Sequence, residues 1–220
     1  MTTKEKILYE ALDLFSVKGF GAVSMRDIAA KVGIKESSLY NHYSSKQAIF
    51  DGILELCDTR SSEYFRQARI VGEDGLFAAD QKTVNMYGAM SPEQLAQIAG
   101  GLFETIFSDE INVKLRRLLT IEQYRDERLA KLFRQISFER SLAFQTELFK
   151  AMIGAGLFIE ADPEVLALEF FSPAFLLFYR ADGTPEGMVR SKALFMKHAE
   201  RFGAIYSTQN KAGENADGAR

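Results

Sequence analysis

The stretch DIAAKVGIKESSLYNHYSSK, residues 27–46, decides how the first part of this chain folds. Within it Ala29, Gly33 and Leu39 follow the spacing A-x3-G-x5-L. A small residue at Ala29 lets a second helix cross closely over the first, and Gly33 suits a tight turn that needs a positive φ. Leu39 and Ile34 then fill the wedge between the helices. The pattern predicts a helix-turn-helix, although any small helical hairpin can show the same spacing.

The second helix of this pair is more polar than a core helix of its length. In a helix-turn-helix that helix enters the major groove of DNA with its N-terminal residues at the base edges. Its side chains here are mostly short or polar, namely Lys35, Glu36, Ser37, Ser38, Tyr40 and Asn41. The first helix of the pair begins with Ser24, Met25 and Arg26. The free backbone N–H groups at this end can hold a phosphate. Lys46 begins the next helix and is well placed for another phosphate.

The segment from Ile7 to Leu54 resembles the DNA-binding domain of the TetR family of bacterial transcriptional regulators. The motifs LFSVKGF, DIAAKVGI and LYNHYSSK carry the resemblance, over about a fifth of the chain. It implies phosphate contacts by Tyr40, His42, Tyr43 and Lys46, and base contacts by Ser37, Ser38 and Asn41. For Tyr43, packing between helices is the alternative. The predicted DNA-binding residues are Ser24, Arg26, Lys35, Glu36, Ser37, Ser38, Tyr40, Asn41, His42, Tyr43 and Lys46.

Two positions depart from the family pattern. Lys35 stands where the family commonly has a serine or threonine cap, and Glu36 stands where it commonly has a basic or small residue. Glu36 suits a helix N-terminus, yet toward DNA it repels phosphate or accepts a hydrogen bond from a cytosine amino group. The operator sequence therefore stays open.

His42 raises the question of catalysis, because it lies among two tyrosines, an asparagine and two serines. No Asp, Glu or Cys is spaced to orient its imidazole or to share a metal with it. We therefore predict no catalytic residue, no metal site and no cofactor, and a protein that is not an enzyme.

Composition limits the class of protein. The 220 residues are 47% hydrophobic, enough for a sizeable core, and the formal net charge is −3. Residues 1–50 carry seven Lys/Arg against five Asp/Glu, so the slightly basic head precedes an acidic body. The single cysteine, Cys57, fits a reducing compartment. The apolar stretch 165–179 is too short for a membrane span and is interrupted by Glu169 and Pro173. We predict a cytoplasmic protein without a membrane segment.

The apolar spacing is helical along the chain, which predicts an all-α fold of about nine helices. We expect a three-helix helix-turn-helix domain at 1–46, a larger helical effector-binding and dimerisation domain at 47–206, and a disordered tail at 207–220. Gly19 and Gly33 end helices, and the second helix of the helix-turn-helix reaches about Tyr43. The segment VGEDG (71–75) breaks the helical pattern and a polar region follows to Gly88, whereas one long helix runs from about 127 to 153. The predicted N-terminal caps are Ser24 with Asp27, Ser44 with Gln47, and the motifs SPEQ (91–94), ADPE (161–164) and TPEG (184–187).

The last two predicted helices suit dimerisation. A reader of two-fold symmetric DNA needs two copies of itself, and a helix that is apolar on nearly all faces must be covered on all of them. The resemblance implies a four-helix interface, two helices from each chain. The predicted interface residues are Phe171, Phe175, Phe178, Met188, Phe195 and Phe202. The stripe on the last helix also fits an ordinary core.

The resemblance further implies an effector pocket among the middle helices. The predicted lining residues are Phe103, Phe107, Tyr124, Phe138, Leu142 and Gln145, with core packing as the alternative for each. Gln135, Ser141 and Gln145 are polar residues able to orient a ligand. A pocket without a fixed charge favours an apolar or amphipathic effector. Glu169 is either a pocket acid or an interface residue.

These features predict a ligand-responsive, DNA-binding transcriptional regulator: a homodimeric repressor released from its double-stranded operator by a small molecule. The alternative is a helical small-molecule-binding protein or enzyme whose head does not bind DNA. A transcriptional activator with the same DNA-binding head is a third interpretation, intermediate between these two. The effector, the operator and the regulated genes do not follow from the sequence.

Overall fold

The computed structural model describes residues 1–67, 80–181 and 183–208. Helices dominate these ranges, which confirms the predicted all-α class. Extended pairing within them is limited to a bridge between Phe158 and Ser207. None of the helices in these ranges has the length and apolar character needed to cross a membrane.

Eleven α-helices and one π-helical stretch, Gln135–Glu139, make up the described residues. In chain order the helices are α1 Thr3–Lys18, α2 Met25–Val32, α3 Glu36–Tyr40, α4 Lys46–Gln67, α5 Gln81–Gly88, α6 Pro92–Ser108, α7 Glu110–Glu122, α8 Glu127–Arg134, α9 Arg140–Gly154, α10 Pro163–Arg180 and α11 Pro185–Tyr206. They belong to two compact units. The first unit comprises Met1–Phe65 and Asp109–Ser137, and the second comprises Arg66–Ser108 and Phe138–Arg220.

The first unit is organised around α1, which packs against α2 and α7. The rings of Phe15, Phe20 and Phe50 meet at centroid distances of 5.2 to 6.4 Å. Two polar contacts add to this packing. Lys114 of α7 forms an ion pair with Asp13 of α1, and the Phe20 N–H donates to the buried carboxylate of Glu122 at 2.9 Å. The three-helix head thus shares a core with α7.

The second unit is built on α6, α9, α10 and α11. Its core is largely aromatic, with the ring of Phe103 tilted against those of Phe107 and Phe195 at centroid distances of 5.0 and 5.4 Å. Gly100 lets α6 and α11 approach closely, since a Cβ there would lie 2.7 Å from the Met196 Sδ. This packing holds the elements that line the cavity described below.

Most predicted helix ends are confirmed. Ser24 and Asp27 form a capping box on α2. The caps at Ser91, Asp162 and Thr184 accept backbone N–H groups, as their motifs predict. Gly19 and Gly33 cap α1 and α2 at their C-terminal ends, and Gly33 adopts φ 82°.

Three local predictions are wrong. The cap of α4 is Ser45 and not Ser44, because the Ala48 N–H donates to the Ser45 hydroxyl; the Gln47 amide donates instead to Asp51. The helix predicted to reach about Tyr43 ends at Tyr40. The polar region before Gly88 contains α5, capped by Asp80. The long helix predicted at 127–153 is present, with a π-helical stretch within it that the sequence did not indicate.

Two other predictions fall wholly or largely outside the described residues. One is the break at VGEDG, residues 71–75. The other is the disordered tail, of which Ser207 and Thr208 are described; there the Thr208 N–H donates to the Leu157 carbonyl at 3.0 Å.

Candidate functional site

The turn between α2 and α3 presents a polar surface on an apolar base. Leu39 is fully buried and Ala29 nearly so. Gly33 donates its N–H to the carbonyls of Ala29 and Ala30, which ends α2. The outward residues of α3 and the following turn are Lys35, Glu36, Ser37, Tyr40, Asn41 and His42, all exposed, with Ser38 half-buried. Every predicted base-contacting residue is therefore accessible.

Capping fixes the start of α2. The Ser24 N–H and hydroxyl donate to the Asp27 carboxylate at 2.8 and 2.6 Å, and the Asp27 N–H donates back to the hydroxyl at 3.1 Å. The hydrogen bond from the Ser24 side chain, followed by the one from its backbone, holds the pKa of Asp27 below its usual value. The first-turn amides of Met25 and Arg26 have no acceptor within the helix. With the exposed Arg26 side chain they can receive a phosphate.

Lys46 holds the loop that precedes α2. Its ammonium group donates to the carbonyls of Phe20 at 2.7 Å and Val23 at 2.6 Å, and it lies 4.4 Å from the centroid of the Phe20 ring. An ammonium has three donors, and a third carbonyl, of Gly21, lies 3.5 Å away. The structure therefore gives Lys46 internal partners where the sequence led us to expect a phosphate.

Tyr43 follows the alternative interpretation, packing between helices. Its side chain is 8% exposed and packs beside Gly52, where an added Cβ would lie 3.3 Å from the ring. Burial, with a smaller contribution from Glu55, raises the pKa of its phenol. His42 stays exposed. Within the described ranges no group of His, Cys, Asp and Glu side chains is arranged to hold a metal.

Sequence reasoning missed Lys6, Lys114 and Glu122. The Lys6 ammonium donates to the Val32 carbonyl at the end of α2 at 2.9 Å. Lys114 and Glu122 tie α7 to α1 and to the loop after it. All three partners are at least 26 residues away in sequence, so no local pattern marks them.

The second unit contains an apolar cavity of about 80 Å³. Its lining comes from α5, α6, α9, α10, α11 and the segment after α9: Tyr87, Leu95, Ile98, Ala99, Leu102, Phe144, Gln145, Leu148, Phe149, Met152, Phe158, Phe170, Ala199, Phe202 and Gly203. Gln145 is the one member of the predicted effector pocket in this lining. Its Oε1 is buried without a hydrogen-bond partner.

The other five predicted pocket residues lie elsewhere. Phe103 and Phe107 are about 1% exposed and belong to the core. Phe138 stacks on Phe175 with centroids 4.6 Å apart. Leu142 is half-buried, and Tyr124 is 88% exposed on the first unit.

A wider cleft of about 540 Å³ opens in the first unit along α4, α7 and α8. Its lining combines apolar side chains, among them Phe20, Phe50 and Leu132, with charged side chains of both signs. A lining of mixed charge does not select one ligand charge.

The α10 and α11 helices expose apolar side chains that differ from the predicted interface. Phe171, Phe195 and Phe202 are 4 to 6% exposed, because they pack inward on their own chain; Phe175, Phe178 and Met188 are half-buried. The large apolar residues left exposed on these helices are Val165 at 47%, Leu168 at 45%, Leu176 at 68%, Tyr179 at 59%, Val189 at 71%, Leu194 at 37% and Ile205 at 45%. Those of α10 recur at helical spacing on one side of that helix, and we call these residues the exposed apolar face.

Three further residues have defined positions. Glu169 is exposed and accepts a hydrogen bond from the Tyr206 hydroxyl at 2.6 Å, so it is not a buried pocket acid. A ring nitrogen of the half-buried His198 lies 3.2 Å from the Phe170 carbonyl oxygen. Cys57 is buried in the first unit.

Comparison with known proteins identifies the head. Residues 7–53 match the family described as bacterial regulatory proteins, tetR family. The biofilm operon icaADBC HTH-type negative transcriptional regulators IcaR of Staphylococcus aureus and Staphylococcus epidermidis are 43% identical over 54 residues, or 24% of this chain. The chain spans less than a third, 29%, of the length of these relatives.

Solved structures match along nearly the whole chain. A putative TetR-family transcriptional regulator from Mesorhizobium loti has a TM-score of 0.66 at 21% identity, covering 94% of this chain and 97% of that one. The SmeT–triclosan complex has a TM-score of 0.63 at 20% identity, covering 94% and 93%. SmeT is the repressor of the Stenotrophomonas maltophilia multidrug efflux pump SmeDEF. At these identities the likeness shows a common fold.

Proposed function

Residues 7–53 form a tetR-family regulatory domain within a fold shared with TetR-family regulators, and from that premise we propose that this protein is a DNA-binding transcriptional regulator. We further propose that it is a homodimeric repressor, released from its operator by a small molecule. The curated relatives are negative regulators, which favours repression over activation.

The exposed polar side of α3 carries this proposal. Leu39 and Gly33 fix α3 against α2, while Ser37, Ser38 and Asn41 remain accessible for base edges. The fixed N-terminus of α2 with Arg26 supplies a phosphate contact beside it. Phosphate contacts set register, and base contacts set sequence preference, so the two surfaces have separable roles.

The test measures how tightly the purified chain binds DNA from upstream of its own gene. Fluorescence anisotropy gives the affinity at several salt concentrations. Affinity should fall steeply with salt, because phosphate contacts release counterions. Arg26→Ala should weaken binding to all sequences alike and reduce the salt slope by about 1, whereas Asn41→Ala should change the preference among sequences. The reverse pattern would contradict the assigned roles.

A helical small-molecule-binding protein whose head does not bind DNA is the second candidate. The exposed Glu36 at the start of α3 favours it, because a carboxylate there repels phosphate. Absent or salt-independent binding to upstream DNA would select this candidate. Glu36→Gln should then leave DNA binding absent, whereas a regulator should gain general DNA affinity from the same change.

The apolar cavity supports the ligand-responsive part of the proposal. SmeT, which shares the fold, forms a complex with triclosan, and the cavity here is lined almost wholly by apolar side chains. A ligand that prefers one conformation of the protein changes operator affinity by its differential binding, typically 5- to 150-fold. Operator affinity that no cavity-binding compound alters would contradict this mechanism.

A further inference from the structure

The apolar cavity of the second unit contains a polar atom that the described part of the chain leaves unpaired. Gln145 lines the cavity, and its Oε1 is buried with no hydrogen-bond partner among the described residues. Burying an amide oxygen in this way costs free energy, because its hydrogen bond to water is lost and none replaces it. Native proteins keep few such atoms. The site therefore has an acceptor available for a molecule that enters.

The surroundings offer little to satisfy that oxygen. Among the described residues of the lining, Tyr87 and Gln145 are the ones with polar side chains. A buried water needs two to four polar partners, and apolar cavities stay dry. A wall of phenylalanine, leucine and methionine therefore holds water poorly beside Gln145. A ligand with an apolar body and a donor group fits these surroundings better.

We propose that Gln145 determines effector specificity: its Oε1 accepts a hydrogen bond from the single hydroxyl or N–H group of a small, uncharged, otherwise apolar molecule. The biological meaning of this site rests on the proposed function. Charged ligands are excluded because none of the described lining side chains carries a charge to compensate for desolvation.

The size of the cavity limits the occupant. Its volume of about 80 Å³ is below the roughly 150 Å³ of an apolar cavity that binds benzene. A molecule of one ring therefore requires a small rearrangement of the wall. Met152 is suited to this, because its unbranched thioether side chain has three rotatable bonds. The class of ligand is thus a single-ring or short-chain compound with one hydrogen-bond donor.

The experiment compares p-cresol with p-xylene, which carries a methyl group in place of the hydroxyl. Dissociation constants are measured on the full chain by calorimetric titration, and the Met152 methyl NMR signal locates the bound compound. We expect p-cresol to bind about fivefold or more tightly than p-xylene. Equal affinities, tighter p-xylene binding or no binding of either compound would overturn the proposal.

A third compound, 4-methylanisole, tests the direction of the hydrogen bond. It has an oxygen acceptor and no donor, so it should bind no more tightly than p-xylene. The orientation of a side-chain amide is assigned from its hydrogen bonds, and tighter anisole binding would show that the amide nitrogen faces the cavity. That result would overturn the assignment of Oε1 as the acceptor.

Two variants separate the effect of the acceptor from the effect of general repacking. Gln145→Met keeps a similar volume without the amide, and should abolish the preference for p-cresol while p-xylene still binds. Leu177→Met, a volume-conserving change in the core of the same unit but outside the cavity lining, should retain the preference. Preference surviving in Gln145→Met would contradict the proposal.

Operator binding is followed in parallel. Selective binding of p-cresol without any change in operator affinity would refute ligand release and leave the role of Gln145 standing. Operator binding without binding of any compound in the cavity would refute the role of Gln145 and leave the proposed DNA-binding function standing.

Discussion

Single residues in this protein act mainly through the backbone groups that they satisfy. Lys46 is an example in which the observed partners differ from the ones that the sequence predicted. A lysine at the start of a helix near DNA suggests a phosphate contact, yet its ammonium lies against the carbonyls of Phe20 and Val23. Those partners are more than 20 residues away in sequence, so spacing arguments do not reveal them.

Replacing Lys46 by Met should therefore destabilise the free protein. Three loop carbonyls lose their donor, which we expect to lower the free energy of unfolding by about 1–3 kcal/mol. Urea unfolding followed by circular dichroism measures this, with the exposed Lys197→Met as control. The salt slope of operator binding should stay unchanged. A slope reduced by about 1 would instead assign Lys46 a phosphate contact.

Asp27 makes the cap of α2 dependent on pH. Its pKa is lowered in the folded protein by hydrogen bonds from Ser24, so the ionised form stabilises the fold. That contribution is present above the unfolded pKa of about 4 and is lost as the pH falls through the lower folded pKa. The stability difference between the native chain and Asp27→Asn should shrink with acidification over this range. A difference that is constant with pH would contradict the role.

Elements were predictable where local chemistry decides them. The capping box of Ser24 and Asp27 and the caps at Asp162 and Thr184 follow from side chains two or three residues apart, and the structure contains them. The π-helical stretch and α5 were not predicted from the sequence, because packing against the rest of the fold selects π turns and short helices. The side of each helix that is buried was least predictable, as Phe195 and Tyr124 show.

The turn between α2 and α3 gives an element-level prediction. Gly33 has φ 82°, and an added Cβ would meet nothing within 4 Å. The cost of Gly33→Ala is therefore backbone strain alone, about 1–2 kcal/mol. Gly33→Asn should cost less, because asparagine enters this region more readily. Thermal unfolding of both variants measures the order, and equal losses would indicate a steric cause.

The contact between α6 and α11 gives another. A Cβ on Gly100 would lie 2.7 Å from the Met196 Sδ, so Gly100→Ala forces Met196 to move, although alanine itself favours a helix. Met196→Ala removes the obstacle. In a double-mutant cycle the two changes together should cost less than their sum, by 0.5 kcal/mol or more. Additive losses would mean that the helices separate instead.

At the scale of the whole molecule, the exposed apolar face is the feature most in need of a partner. The apolar pattern of the last two helices and the family resemblance suggested their phenylalanines as interface residues, but large rings also pack well within one chain. The structure buries Phe171 and Phe202 and leaves Leu176 and Val189 exposed. In the proposed dimer a partner would cover this face, which otherwise stays in contact with water.

Leu176→Glu should therefore convert a dimer into a monomer and lower operator affinity, because two half-sites must be bound together. Sedimentation equilibrium gives the mass. Val17→Glu, at a residue 71% exposed on α1, is the matched control and should leave the mass unchanged. An unaltered dimer in Leu176→Glu would place the interface elsewhere.

The π-helical stretch at Gln135–Glu139 also bears on how this chain tolerates length changes. Such a stretch amounts to an α-helix with one additional residue in the turn. Removing Glu139 would restore regular α-helical bonding but rotate Phe138 relative to Gln145 by about 100° about the helix axis. Phe138 packs on Phe175, and Gln145 lines the cavity, so the two side chains would not both keep their present surroundings. The surplus residue thus keeps two faces of one helix in register within the second unit.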